Sequence, residues 1–455
     1  MSPTFVRRVR LPAGAATAFA WHERPGAWER LSPPWRGTRV VERSGGIREG
    51  ARVTLDLGFP LGRLVLEHSG YQAGRMFRDR QVSGPFARYQ HTHTFEPDGD
   101  RCTLEDRIDY ELTPLGGLVA PVVEAELVAL FAWRHRVTRL DLERLLGDAR
   151  PTVAVTGASG MIGRELVAFL STQGCRVRRL VRRRPREAAE IEWDPARGVL
   201  DPATLAGIDA VVHLSGAGLA EARWTAARKR ELVDSRLLST QLLAHALAAM
   251  PRKPAVLVSA SAIGWYGDRG DEPLDEGSAP GEGFLADLAA RWEAAARPAA
   301  EAGVRVVHPR FGMVLWPRGG SLGRLVAPTR WGVGGPLGSG RQWWSWVTLH
   351  DLLDMVLRAI IEPKLRGPFN AVAPEPTRQG QFAQILGRVL RRPSLVSAPA
   401  FALRALLGRG LADGVVLASH RVQPLVLEAS GFPYRDPRLD HALAVLLGRA
   451  PAEVP

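Results

Sequence analysis

At 455 residues, 45% of them hydrophobic and 24% charged, the chain exceeds one ordinary domain and is neither disordered nor fibrous, so two or three globular domains are expected. The formal net charge of +13 would suit a nucleic acid or an anionic membrane. Its arginines are spread along the whole chain, however, with no zinc-finger spacing, aromatic RNA-binding motif or basic tail, and nucleic-acid binding is set aside.

The start, Met1-Ser2-Pro3-Thr4, lacks the basic, apolar, small order of a signal peptide. No apolar run reaches the length of a membrane span; Leu411–Ala418 is short and holds Asp413. Cys102 and Cys175 lie far apart and offer no disulfide framework, which points to a reducing, cytoplasmic setting. From Phe5 the pattern reads strand (Phe5–Val9), then two short helices through Ala15–Leu31. Strands follow over Thr38–Arg43, Ala51–Leu57, Leu64–Tyr71, Arg75–Val82, Phe86–Phe95 and Thr103–Leu112, separated by turn clusters such as Ser44-Gly45-Gly46. An amphipathic helix from Leu118 to Leu146 closes this part, with Leu127, Leu130, Phe131, Val137 and Leu140 on one face.

This order, with the stretches Ala20–Ala27 and Gly84–His93, resembles the START/polyketide-cyclase-like (SRPBCC) superfamily. The resemblance implies an α+β helix-grip fold over residues 1–149, with a cavity between sheet and long helix for a hydrophobic ligand. His91 and His93, two apart on one strand, face the same side and have the spacing of a metal pair. With no carboxylate or cysteine at matching spacing, they are read as polar residues on a solvated face, and no metal is assigned.

Gly147–Pro151 is a turn-like junction, which puts a boundary near residue 149. Thr152–Thr156, small or β-branched throughout, reads as a buried strand, followed by Gly157, Gly160 and Gly163 and by an apolar-striped helix over Arg164–Leu170. Strand, glycine turn and helix N-terminus make an anion site, because backbone N–H groups and the helix dipole both favour a phosphate there. The next strand, Cys175–Val181, ends in Arg182-Arg183-Arg184. An acid at that place would accept from the ribose 2′-OH of NAD; an arginine accommodates a 2′-phosphate, so NADP is expected, with Arg182 first and Arg183 in support. Further strands over Ile208–Gly218, Pro254–Ser261 and Val304–Phe311 alternate with helices over Arg228–Met250 and Leu285–Ala302. The pattern is that of an α/β, doubly wound parallel sheet.

Thr156–Gly163, Leu214-Ser215-Gly216, Ser259–Gly267, Arg310-Phe311-Gly312 and Val347–Asp351 resemble extended short-chain dehydrogenase/reductases of the epimerase/dehydratase type. Trp193-Asp194-Pro195, Arg223-Trp224-Thr225, Gly334–Gly340 and Trp344-Ser345-Trp346 are similar to the nucleoside-diphosphate-sugar epimerase-like subgroup, which ends in a small helical domain of unknown function. The resemblance implies a Rossmann domain over 150–363, a helical domain over 364–455 and a small-molecule substrate. It also implies cofactor contacts at Gly157, Ser159, Gly160, Met161, Ile162, Gly163, Arg182, Arg183, Leu214, Ser215, Glu231, Arg236 and Met313. Glu231 and Arg236 read equally as a local ion pair.

Short-chain enzymes use a Tyr as general acid/base, a Lys four residues on that lowers its pKa, and a Ser that holds the substrate oxygen. Ser261 matches the Ser, but aligning on Trp292-Glu293 puts Leu285 and Ala289 where Tyr and Lys belong. Three accounts stay open: Tyr266 acts instead, another pocket residue such as Arg310 or His350 serves, or the domain binds NADP without turnover. The tryptophans at 343, 344 and 346 read equally as a substrate wall or as core.

Overall fold

Strand Arg101–Leu112 buries every second side chain, Cys102, Leu104, Asp106, Ile108 and Tyr110, as a sheet with one covered face requires. The computed structural model, which describes residues 3–59, 61–113, 120–147 and 150–450, places this strand in a seven-stranded antiparallel sheet. The elements run β1 (Thr4–Leu11), α1 (Ala15–Glu23), α2 (Ala27–Leu31), β2 (Arg39–Arg43), β3 (Arg52–Gly58) and β4 (Gly62–Gln72). They continue with β5 (Met76–Ser83), β6 (Phe86–Asp98), β7 (Arg101–Leu112) and α3 (Ala120–Glu143). The expected boundary near residue 149 and the expected helix start at Leu118 lie outside the described residues.

The strand order is β1-β7-β6-β5-β4-β3-β2. Phe131 of α3 packs with Phe5, Ile108 and Tyr110, while Leu142 at its far end joins Leu11, Phe19, Trp21, Phe77 and Phe95. Arg30 of α2 and Asp141 of α3 form a fully buried bidentate pair at 2.9 and 2.7 Å. One correction follows from the alternation: His91 and His93 are not on a solvated face. They are 2% and 8% exposed, because period two carries them to the side of Phe95, where the ring of Phe131 meets His91.

The second half forms β8 (Thr152–Thr156), α4 (Met161–Thr172), β9 (Arg176–Val181), β10 (Glu190–Glu192), β11 (Ala210–His213), α5 (Ala226–Ala249), β12 (Val256–Ser259) and β13 (Ser261–Ala262). There follow β14 (Pro273–Leu274), α6 (Phe284–Ala294), α7 (Arg297–Glu301), β15 (Arg305–Phe311), β16 (Met313–Leu315) and α8 (Gly320–Arg330). Then come β17 (Trp343–Trp344), β18 (Trp346–Thr348), α9 (Leu349–Ile361) and β19 (Gly367–Ala371), before mainly short helices to Leu446. The sheet runs β10-β9-β8-β11-β12-β15, with β13 and β19 both on β15, and every pairing in it is parallel. Order reverses between β8 and β11, the switch point outside whose carboxyl ends doubly wound sheets bind ligands.

By its contacts the chain divides into two units, Met1–Ala149 with Ala168–Gly174 and Val445–Pro455, and Arg150–Val167 with Cys175–Ala444. Among the described residues no helix is long and apolar enough to cross a membrane.

Helix α9 starts on a capping exchange: Thr348 Oγ1 accepts from the Asp351 N–H at 3.1 Å and donates to Asp351 Oδ2 at 2.8 Å. Asp351 is fully buried, with Asp436 and Asp354 nearby, and burial followed by these acids raises its carboxyl to about 7. A raised folded pKa favours the protonated form, so this contribution is complete below the unfolded value of about 4 and is lost as pH climbs through about 7. Thermal melts should therefore show a stability loss of up to about 1.4 kcal/mol per pH unit across that window, which Asp351→Asn flattens. An unchanged slope in the variant would remove Asp351 as its source.

Candidate functional site

The glycine turn is built by close backbone approach. Gly157 sits at φ +66°, and a Cβ there would lie 2.9 Å from the carbonyl carbon and oxygen of Leu214 and 3.1 Å from Ser215 N. A Cβ on Gly163 would stand 2.1 Å from Gly157 O, whereas one on Gly160 meets the same oxygen at 3.3 Å. The turn closes with Gly160 N–H donating to Gly157 O at 3.0 Å, and α4 begins at Met161. Ser159 and Gly160 are exposed at the open N-terminus of α4, with Ile162 behind them, so the turn residues and Leu214-Ser215 come together at the switch point. Met313 opens β16, its N–H held by Ser345 O at 2.9 Å.

Behind the turn lies a buried polar chain that sequence reading passed over as a strand end. His213 Nδ1 is 2.8 Å from Thr156 Oγ1 and its Nε2 is 3.0 Å from Thr240 Oγ1. Thr240 gives its one hydroxyl proton to Arg236 O and accepts from Trp292 Nε1. His213 must therefore donate from Nε2 and accept from Thr156, whose hydroxyl in turn accepts from the Leu214 N–H at 3.1 Å. Burial lowers His213 to about 3, so it is a neutral strut joining β8, β11 and α5.

The candidate cations separate. Arg182, just past β9, is exposed and makes no ion pair or hydrogen bond among the described residues. Arg183 is already taken: both its terminal nitrogens hold the Glu190 carboxylate, at 2.7 and 2.6 Å. A supporting role for Arg183 toward a phosphate would have to be shared with this carboxylate. Glu231 is exposed and pairs with Arg228 at 2.7 Å, so the Glu231–Arg236 pair does not form. Arg236 instead is buried under Gly216, gives Nη1 to Leu232 O and Nη2 to Ala217 O, and lies over the Trp292 ring. Burial first, then Arg228, lowers it to about 10.

Ser261 and Tyr266 meet in a second buried network. Strand register sets Ser261 opposite Arg310 and Arg310 opposite Asn370, so β13, β15 and β19 line up the three side chains. Arg310 grips the Glu293 carboxylate through Nε at 2.8 Å and Nη2 at 3.0 Å, and Ser261 Oγ donates to it at 2.6 Å. Arg310 Nη1 donates to Tyr266 Oη at 3.0 Å, and that hydroxyl donates to Asn370 Oδ1 at 2.7 Å. The Arg310 guanidinium also lies 3.9 Å from the Trp265 ring centre. Tyr266 is 0% and Ser261 1% exposed, so neither hydroxyl meets solvent. Burial raises the Tyr266 phenol, against the pull of Arg310, and it stays protonated. Leu285 faces Gly264 and Ala289 is buried, so neither alignment position offers a proton. Trp344 and Trp346 are core, their indole nitrogens donating to Val416 O and Glu375 O; Trp343 is half-buried beneath Arg378. His350 is buried against the Trp316 ring.

Residues 153–371 match the model of the NAD dependent epimerase/dehydratase family. An epimerase family protein of Mycobacterium bovis is 41% identical over 295 residues, covering 65% of this chain and 97% of its own length. The chain belongs to this epimerase family. Two more models flank the match: the polyketide cyclase / dehydrase and lipid transport family at residues 2–145, and a domain of unknown function at 398–446. The nucleoside-diphosphate sugar epimerase from Corynebacterium glutamicum is 31% identical, with a TM-score of 0.81, covering 99% of this chain and 91% of that one. Human epimerase family protein SDR39U1 (isoform 2), solved with NADPH, is 32% identical with a TM-score of 0.61, covering 66% of this chain and all of that one.

Within this epimerase-family chain, sequence reading missed Glu293 and Asn370. Glu293 served only as an alignment mark, and nothing local distinguishes it from an exposed helix acid. Asn370 carried no signal until the β15–β19 register set it opposite Arg310.

Proposed function

We propose that the second unit binds NADP(H) at the β8–β11 switch point and acts there on a small molecule as an epimerase- or reductase-like protein, while the first unit takes a hydrophobic ligand. The observation that carries the cofactor choice is Arg182: an exposed cation without a partner among the described residues, where a β-strand ends beyond the glycine turn and no acid stands. The turn fits a dinucleotide, because Gly157 and Gly163 leave room that a Cβ would fill with backbone clashes. NADPH in the human relative supports the same choice.

In this reading the N–H groups from Ser159 to Gly163 and the α4 dipole hold the pyrophosphate, and Arg182 holds the 2′-phosphate. Arg236, buried and held by the carbonyls of Leu232 and Ala217 over the Trp292 indole, supports the wall formed by Gly216-Ala217. The bound cofactor would supply hydride chemistry. A second reading, an NADP-binding protein without turnover, is favoured by one specific observation: Tyr266 and Ser261 are sealed in the Glu293–Arg310–Asn370 network, and Leu285 and Ala289 transfer no proton.

Tryptophan fluorescence titration tests the cofactor. NADPH should bind more tightly than NADH, and Arg182→Ala should weaken NADPH about 10–100-fold while leaving NADH nearly unchanged. Equal binding of the two by the native protein would sink the role of Arg182. Following NADPH absorbance with a panel of carbonyls and quinones separates the readings. Oxidation that is slowed by Ser261→Ala and Tyr266→Phe supports turnover at that network; none with any compound leaves the binding protein.

A further inference from the structure

We propose that Asp79, His91 and His93 bind a divalent transition-metal ion of the zinc type on the covered face of the first unit's sheet. The residues come from neighbouring strands, Asp79 lying opposite His91 in the β5–β6 register, and all three are buried. One donor atom from each lies within 4.8 Å of the other two. Asp79 Oδ2 is 3.5 Å from His91 Nδ1 and 3.5 Å from His93 Nε2. That distance is too long for a good hydrogen bond. It is close to the edge of a ligand tetrahedron, about 3.3 Å when metal–nitrogen bonds are about 2.0–2.1 Å.

The groups behind these three point the same way. His91 turns its other nitrogen, Nε2, to Asp106 Oδ1 at 2.9 Å, and His93 brings Nδ1 to the same oxygen at 2.6 Å, outside hydrogen-bond geometry. Asp106 Oδ2 is in turn 2.6 Å from His135 Nε2 on α3. A carboxylate behind paired imidazoles is how metal-binding histidines are oriented and made more basic. Asp79 and Asp106 are 5% and 2% exposed, and a dication would add to the balancing positive charge that half-buried Arg134 gives these carboxylates. His68 adds an independent sign. It stands opposite Asp79 on β4, and its Nδ1 is buried without a partner among the described residues. Phe77, stacked on His93 with centroids 4.1 Å apart, and Phe131, edge-on to His91, give the site an apolar wall. Two imidazoles and one carboxylate leave a coordination position open, as in sites where a metal binds water or a ligand rather than only bracing a fold. The Asp79, His91 and His93 set does not involve the glycine turn.

The test uses the untagged full chain, stripped with a chelator and dialysed into metal-free buffer. Zn²⁺ titration is expected to show one ion per chain with a rise in melting temperature, and Co²⁺ to give the intense visible bands of a four-coordinate site. Asp106→Asn should weaken Zn²⁺ about 10–100-fold, and Asp79→Asn more than that, with far-UV circular dichroism unchanged. If the variants fail to fold, the native chain alone decides. Absence of Zn²⁺ and Co²⁺ binding, or binding with the weak bands of a six-coordinate aquo-like ion, overturns the proposal. So does undiminished affinity in folded Asp79→Asn, and the cluster is then a hydrogen-bonded pair of acids and histidines.

Discussion

Gly163→Ala is expected to reduce NADPH affinity at least about 100-fold, a loss of about 2.7 kcal/mol. The added methyl group would stand 2.1 Å from Gly157 O, 2.8 Å from Ala158 Cα and 2.8 Å from Gly157 C, all backbone atoms that no side-chain rotation can move. Relief requires either the start of α4 to back away or the Gly157–Gly160 turn to open. Both displace the N–H groups that face the proposed pyrophosphate. Gly160→Ala supplies the graded control, since its Cβ meets only Gly157 O at 3.3 Å, and a shift of a few tenths of an ångström absorbs it. Its affinity should stay within about tenfold of the native protein, a span of about 1.4 kcal/mol. Fluorescence titration of both variants checks the ranking. Equal NADPH binding by Gly163→Ala and the native chain would dissociate the turn from the cofactor.

What sequence reading recovered, and what it missed, divides by how local the cause is. The glycine turn was legible because strand, spacing and helix start lie within a dozen consecutive residues. The seven strands of the first unit were legible for the same reason: each lies between turn signals, and some, such as Arg52–Leu57, alternate clearly. Partnerships were not. Nothing near Arg183 announces that Glu190 will neutralise it, because that contact depends on β10 lying beside β9. Glu231 and Arg236 sit five apart on α5, a spacing that turns them to different faces, and the nearer Arg228 takes the acid. The carboxylates beside His91 and His93 were sought at short spacing in the sequence, yet Asp79 and Asp106 reach them across strands β5 and β7. Burial was misread there too, since a histidine pair looks polar on paper whichever face it takes.

The Arg310 network is buried and holds an ion pair, and Arg310→Met should destabilise the second unit by about 3–5 kcal/mol. Arg310 is 2% exposed and the Glu293 side chain 11%, so removing the cation strands a carboxylate that keeps, among the described residues, Ser261 Oγ as its side-chain donor. Tyr266 loses the donor to its hydroxyl at the same time and retains only Asn370. For a unit of this size the deficit corresponds to a drop of roughly 5–8 °C in melting temperature. The companion is the double variant Arg310→Met with Glu293→Leu. Replacing a buried ion pair by apolar groups of similar volume is often neutral, so the second change should restore most of the stability that the first removes. Differential scanning calorimetry of the full chain follows the second unit's transition separately if the two units melt apart. A single variant that melts within about a degree of the native protein would mean that Glu293 finds water or another donor, and that the network is not dry. The double variant also bears on turnover. It keeps Tyr266 and Ser261 but strips both of their charged partners, so any NADPH oxidation that survives in it cannot depend on Glu293 or Arg310.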